Sequence, residues 1–178
     1  ASELEQIHSL YEDSTILQDE DFIVSNVEGA LQKTPYSIVH IASHGQFSSD
    51  RNETFLLAYN EKLSIDRLED LMGLSQYRQQ PVELLALSAC QTAAGDDRAA
   101  LGLAGIAVKA GARSALASLW FVSDEATTEL IADFYRELAN PQISKARALQ
   151  HAQVKLLQDR RYRHAGYWAP YLLIGNWL

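Results

Sequence analysis

Four short runs of residues leave no room for a wet face: "SIVHIAS" at 37–43, "VELLALSA" at 82–89, "SALASLW" at 114–120 and "YLLIG" at 171–175. A strand exposed on one side alternates apolar and polar residues, whereas a strand covered on both faces becomes an almost continuous apolar run. These four segments are therefore predicted to be buried strands. Helical patterns at 65–72, 99–110, 123–139 and 142–158 lie between them. The third opens at Ser123, a good N-cap, and carries Ala126, Leu130, Ile131, Phe134 and Leu138 on one side. Strand alternating with helix specifies an α/β architecture around a largely parallel sheet.

The rest of the chain fits around that frame. Helix-like patterns cover 2–11 and 21–33, the second placing Phe22, Ile23, Val27, Ala30 and Leu31 on one face, and a short strand is expected near 14–17. At 54–64, "TFLLA" and "KLS" flank "YNE", which predicts a hairpin turning at Asn60. No repeat or low-complexity tract interrupts the pattern, and the four prolines and nine glycines fall mainly between periodic segments. One domain over 1–178 is the expectation. Because the sequence opens in a helix-like pattern without an initiator Met, it is expected to be a piece of a longer protein.

Fifteen basic against twenty-three acidic residues give a net charge of −8, with no long Lys/Arg cluster of the kind phosphate backbones require, so no nucleic-acid partner is expected. No apolar run approaches the ~20 residues of a membrane span, so no membrane partner is expected either. The single cysteine cannot form an internal disulfide, and a cytoplasmic setting is the default.

That cysteine, Cys90, stands in "LSACQTAAGDD", where an apolar run gives way to small and acidic residues; "SIVHIASHGQF" has the same form and ends in His44 and Gly45. In an open parallel sheet, ligands gather beyond the carboxyl ends of the strands. If the two strands are neighbours, an imidazole and a thiol can meet there, the minimum machinery for covalent acyl transfer. A thiol with a pKa near ~8.5 is only slightly ionised at neutral pH, and an adjacent imidazole can take its proton. Gly45, lacking a Cβ, lets its N–H approach an oxyanion, with the N–H of Cys90 as a second donor. Taken alone, a cysteine that ends an apolar strand is more often an inert core residue. The second strand end, with His-Gly, is what raises the catalytic reading.

Metal and phosphate chemistry have less support. His40 and His44 form H-x-x-x-H, but Ile38, Val39 and Ile41 favour a strand, where positions four apart lie ~13 Å from one another, too far to share a zinc at ~2.1 Å. "GLAGIAVKAG" contains no phosphate-loop motif, so Gly102 and Gly105 are expected to serve close helix packing. No metal and no cofactor are expected.

With these residues together, "VHIASHG", "LLALSACQTAAG", "GLAGIAVKAGARSALASLWFVSDEAT" and "YWAPYLLIGNW" resemble, in order, the motifs of a CHAT domain. This is a caspase-like module often found beside tetratricopeptide repeats. The resemblance covers most of 36–178. It implies a caspase–haemoglobinase-like three-layer sandwich, with a mostly parallel central sheet and helices on both faces, in the clan of caspases and separases. It implies catalytic His44 and Cys90, Gly45 at the oxyanion, and no cofactor. A protein or peptide substrate and tetratricopeptide repeats in the parent chain or a partner are the implied associations. A non-catalytic interaction module and a thiol hydrolase of small amides or esters are the rival readings.

The departures limit what can be carried over. Around the nucleophile, caspases read Q-A-C-R-G where this chain has Ser88-Ala89-Cys90-Gln91-Thr92, so a preference for Asp before the cut is not implied. "SLWFVSDEAT" is similar to a separase segment, L-W-D-V-T-D, that helps form an arginine pocket, and Asp124 stands where its second acid does. A carboxylate there can pair a guanidinium through two hydrogen bonds; the alternative is that Asp124 occupies a helix first turn, where negative charge is favourable. Asp96 and Asp97 are another source of acidity, and Trp120 is a candidate pocket wall. The loop 92–98 is expected to order only with substrate or a partner. Trp168 and Trp177 are expected at the core or rim, and His8, His151 and His164 are expected to be solvated or satisfied surface residues.

Overall fold

The computed structural model describes residues 3–47, 50–76, 80–88, 90–92, 111–120 and 122–178, with the backbone alone at 47, 51, 74–76 and 90–92. Among these, the helices are α1 (Glu3–Leu10), α2 (Val24–Lys33), α3 (Ile65–Gln76), α4 (Asp124–Leu138), α5 (Lys145–Gln158) and the short α6 (Ala165–Trp168). The strands are β1 (Ile38–Ile41), β2 (Gly45–Phe47), β3 (Phe55–Ala58), β4 (Glu61–Ser64), β5 (Leu84–Leu87), β6 (Cys90–Thr92), β7 (Ser114–Ser118) and β8 (Tyr171–Gly175).

The central sheet has the order β1-β5-β7-β8, parallel through its first three strands and closed by antiparallel β8. Strand β5, continuous in sequence hydrophobicity, is buried at every position. Its side chains divide between two cores: Leu85 and Leu87 pack with Leu31 of α2 and Leu68, Leu71 and Met72 of α3. Leu84 and Ala86 pack on the other face with Leu130, Ile131 and Phe134 of α4 and Ala148 and Ala152 of α5, which Ile7 and Leu10 of α1 extend. Helices on both faces of a mostly parallel sheet make the three-layer α/β sandwich that the apolar runs require.

A second ladder, β4-β3-β2-β6, carries the same chain beyond the first. After β1 the chain enters β2, after β5 it enters β6, and β2 and β6 are again parallel neighbours. The predicted hairpin is β3–β4, with Asn60 at φ 56°, a left-handed turn conformation that asparagine tolerates well. Ser123 caps α4, its Oγ accepting from the Ala126 N–H at 3.3 Å.

Helix α3 runs four residues past the expected 65–72, to Gln76. The strand expected near 14–17 does not form: among the described residues these positions join no ladder, and they line a groove together with residues of β1. The expected helix at 99–110 lies outside the described residues.

Candidate functional site at the carboxyl ends of β1 and β5

The parallel ladder between β1 and β5 ends with Ile41 level with Leu87, and pairing resumes with Gly45 level with Cys90. Three residues, Ala42, Ser43 and His44, intervene on one chain, and two, Ser88 and Ala89, on the other. The unequal count acts as a bulge, which breaks strand alternation and re-aims side chains where it falls. His44 sits at this break, one residue before the position level with Cys90. The two chain ends singled out in the sequence are therefore neighbours.

The hairpin holds the His44 backbone in place. Leu57 of β3 donates its N–H to the His44 carbonyl at 2.8 Å, and the Ser43 hydroxyl donates to the Leu57 carbonyl. Leu56, level with Gly45, is buried and anchors β3 in the core. The His44 backbone is thus fixed while its side chain is exposed.

A polar cluster lies behind this point. His40 of β1, four residues before His44, places Nδ1 3.0 Å from the Tyr135 hydroxyl of α4 and Nε2 2.8 Å from Glu3 Oε1 of α1. Ser88, two residues before Cys90, has its Oγ 3.4 Å from the same Nε2. Burial, then the neighbouring Tyr11 and the charge of Glu3, hold the Tyr135 hydroxyl well above the ordinary tyrosine pKa. The sequence reading assigned His40 no role beyond the rejected metal pair; the signal was one histidine inside an otherwise apolar strand. Because His40 lies within β1, the helical geometry that H-x-x-x-H metal binding needs is absent.

The carboxyl end of β7 opens toward the same side of the sheet, since β7 runs parallel to β5. It delivers Trp120, an exposed indole whose Nε1–H donates to the Gly166 carbonyl at 3.0 Å, and then Asp124, exposed in the first turn of α4. Asp96 and Asp97, like the rest of 93–98, lie outside the described residues. Of the other histidines, His8 lies 2.5 Å from the Ser14 hydroxyl, His151 lies 2.7 Å from Glu137, and His164 accepts from the Gly166 N–H at 3.1 Å. All three are exposed and satisfied by neighbours. Trp168 packs at the rim of the core, and Trp177 is exposed.

A three-layer α/β sandwich with a His-Gly turn and a cysteine on adjacent strand ends has the form of a caspase-like domain. The chain belongs to the CHAT domain family, a caspase-like family, whose model matches residues 1–176. No curated protein sequence is significantly similar to it. Among the described residues, no helix is long and apolar enough to cross a membrane.

Proposed function

We propose that the protein is a cysteine endopeptidase in which His44 and Cys90 act as a dyad. The observation that carries this reading is the register of the second ladder: Gly45 level with Cys90, and His44 immediately before it. His44 takes the proton of the Cys90 thiol, and the sulfur attacks the scissile carbonyl. Backbone N–H groups near Gly45 and Cys90 hold the oxyanion. The leaving amine takes the proton back from His44, and water, deprotonated by His44, releases the acyl group. The reaction needs no cofactor.

The substrate class is a polypeptide bound in extended form, because a cleft of this kind can offer a strand edge for main-chain hydrogen bonds. Asp124, in the first turn of the helix that follows β7, is proposed to favour a basic residue before the cut, with Trp120 as an apolar wall and Asp97 adding negative charge. The family also suggests tetratricopeptide repeats in the parent chain or a partner, and a cytoplasmic setting suits a thiol that must stay reduced.

Cleavage of a diverse peptide library by the parent protein, run beside Cys90→Ala and His44→Ala, tests the reading. Cleavage by the parent alone supports it. Cleavage that survives in Cys90→Ala overturns it, and absence of cleavage together with alkylation of Cys90 that is equally slow with and without His44 overturns it in favour of an interaction module. Turnover of small esters or amides with none of peptides assigns the dyad to a small-substrate hydrolase.

A further inference from the structure

On the α4 face of the central sheet, side chains change from apolar to polar at the ends of the strands that carry the candidate site. Leu84, Ala86 and Leu116 belong to the apolar core of that face. By strand alternation the next side chains on it are Ser88 and Ser118, both buried. His40 stands beside them on β1, and Tyr171 is level with Ser118 on β8, its hydroxyl bonded to Thr127 of α4 at 2.8 Å. Tyr135 of α4 and Glu3 of α1 cover His40. A polar layer thus crosses all four strands just before the chain reaches His44 and Cys90.

Buried polar groups add little net stability over well-packed apolar ones, because desolvation offsets what their contacts return. Glu3 is the costly member of the layer. Its side chain is 13% exposed, and among the described residues Oε1 makes no aligned hydrogen bond, with His40 Nε2 at 2.8 Å as its counter-group. Burial raises the pKa of Tyr135 and of Tyr171, and the charge of Glu3 adds to both, so the carboxylate acts on the layer as a whole. Helix α1, which delivers it, has no fully buried residue of its own. It rests on α4 through the half-buried Ile7 and Leu10 and through the following Tyr11, whose hydroxyl donates to the Tyr135 carbonyl at 3.2 Å. An element with so little buried surface belongs to the low-stability end of a fold. Yet the charge it inserts meets the histidine that touches the Cys90 chain.

That touch falls at a sensitive place. The Ser88 N–H donates to the Ile41 carbonyl at 3.3 Å, and the Ser88 hydroxyl lies 3.4 Å from His40 Nε2. The link Ser88–Ala89 that starts there sets the register in which Cys90 comes level with Gly45. We infer that Glu3, His40 and Ser88 are positioning residues for Cys90: docked α1 holds the His40 ring against Ser88 through Glu3, and this contact fixes the link. The effect on cleavage rests on the dyad reading; the placement of the link does not. A second role for Glu3, negative charge in the first turn of α1, is shared with the exposed Glu5, which does not reach the layer and so serves as the control.

Peptide cleavage and backbone amide NMR spectra, compared between the parent and Ser88→Ala, Glu3→Gln, Glu5→Gln and the apolar pair Glu3→Leu/His40→Leu, test the inference. Ser88→Ala and Glu3→Gln should each lower kcat by about tenfold to a hundredfold, the scale of a misplaced reacting group, with KM nearly unchanged. Combined, they should lose no more than the larger single loss, because they act in one chain of contacts. The Gly45 and Cys90 amide resonances should shift in both variants, and Glu5→Gln should match the parent in every readout. The apolar pair should keep the unfolding midpoint of the parent while kcat stays low, which a purely structural cluster would not produce. Parent-like kcat in Ser88→Ala or in the apolar pair overturns the inference, as do unshifted Gly45 and Cys90 resonances. An equal loss in Glu5→Gln also overturns it and leaves Glu3 as a first-turn charge only. If the apolar pair does not fold, Ser88→Ala and Glu3→Gln decide by the same criteria. A parent that cuts no peptide, or cleavage that survives Cys90→Ala, counts against the dyad alone, and the resonance shifts then decide the placement.

Discussion

Gly45 and Cys90 stand level on the adjacent parallel strands β2 and β6, although their parent strands β1 and β5 arrive in a register that differs by one residue. This offset leaves His44 in the break rather than in a ladder. If Gly45 serves the oxyanion, a Cβ there obstructs acyl transfer without touching the proton transfer from the thiol. Gly45→Ala is expected to lower kcat for peptide cleavage by about tenfold or more, an effect in the range of one lost oxyanion donor. The rate of Cys90 alkylation should stay close to that of the parent. Equal losses in both measurements would place Gly45 in the fold and not at the oxyanion.

Removal of either dyad member separates the two chemical roles. Cys90→Ala should abolish cleavage, a loss of about three orders of magnitude or more. His44→Ala should lower it by ~10²–10⁴, the usual weight of a general base. His44→Ala should also shift the pH dependence of Cys90 alkylation upward, toward that of an unassisted thiol. Peptide cleavage and alkylation profiles measured across pH check both.

Asp124 has a structural role already visible, since it occupies the first turn of α4 beside the Ser123 cap. Asp124→Asn should therefore cost about 0.3–1 kcal/mol of stability through the helix dipole, read from denaturant unfolding. If the carboxylate also contacts substrate, the same variant loses its preference for Arg or Lys before the cut. A retained preference with the same small loss of stability would confine Asp124 to the helix.

Two buried tyrosines set an alkaline limit. Burial raises the pKa of Tyr135, with Tyr11 and Glu3 adding to it, and burial raises that of Tyr171, whose hydroxyl donates to Thr127 Oγ1 at 2.8 Å. An unfolded tyrosine ionises near pH ~10. Below that pH both states are protonated and the stability these side chains contribute is fully present; above it the unfolded chain loses protons that the folded one keeps, and stability falls until the folded pKa is reached. Unfolding free energy should decline from about pH 10 upward, with phenolate absorbance appearing together with loss of structure. Tyr171→Phe should weaken that decline.

Gly175 has φ 97°, and a Cβ built on it would collide with the Arg113 carbonyl oxygen, which already accepts the Asn176 N–H at 2.7 Å. The strained conformation alone costs a non-glycine residue ~1–3 kcal/mol, and the clash with backbone adds to it. Gly175→Ala should lower thermal stability markedly by loosening β8 from β7. A change within ~0.5 kcal/mol would show that the β8 end is not held as described.

Hydrophobic period and turn chemistry determined the layers before any coordinates: continuous apolar runs require cover on both faces, Ser123 caps a helix, and Asn60 turns a hairpin, each through contacts within a few residues. The chemistry of the candidate site was legible in the same way, as residue types placed where strands stop. The register offset between His44 and Cys90 was not legible, because it depends on how many residues two chains 46 positions apart spend between ladders, and pairing register is a property of two segments at once. Nor was the joining of His40, Tyr135, Glu3 and Ser88, which come from β1, α4, α1 and the link after β5. Residues 14–17 show the limit most directly: their local sequence favours a strand, but a strand exists only when a neighbour satisfies its peptide groups, and only the tertiary structure decides whether that neighbour is there.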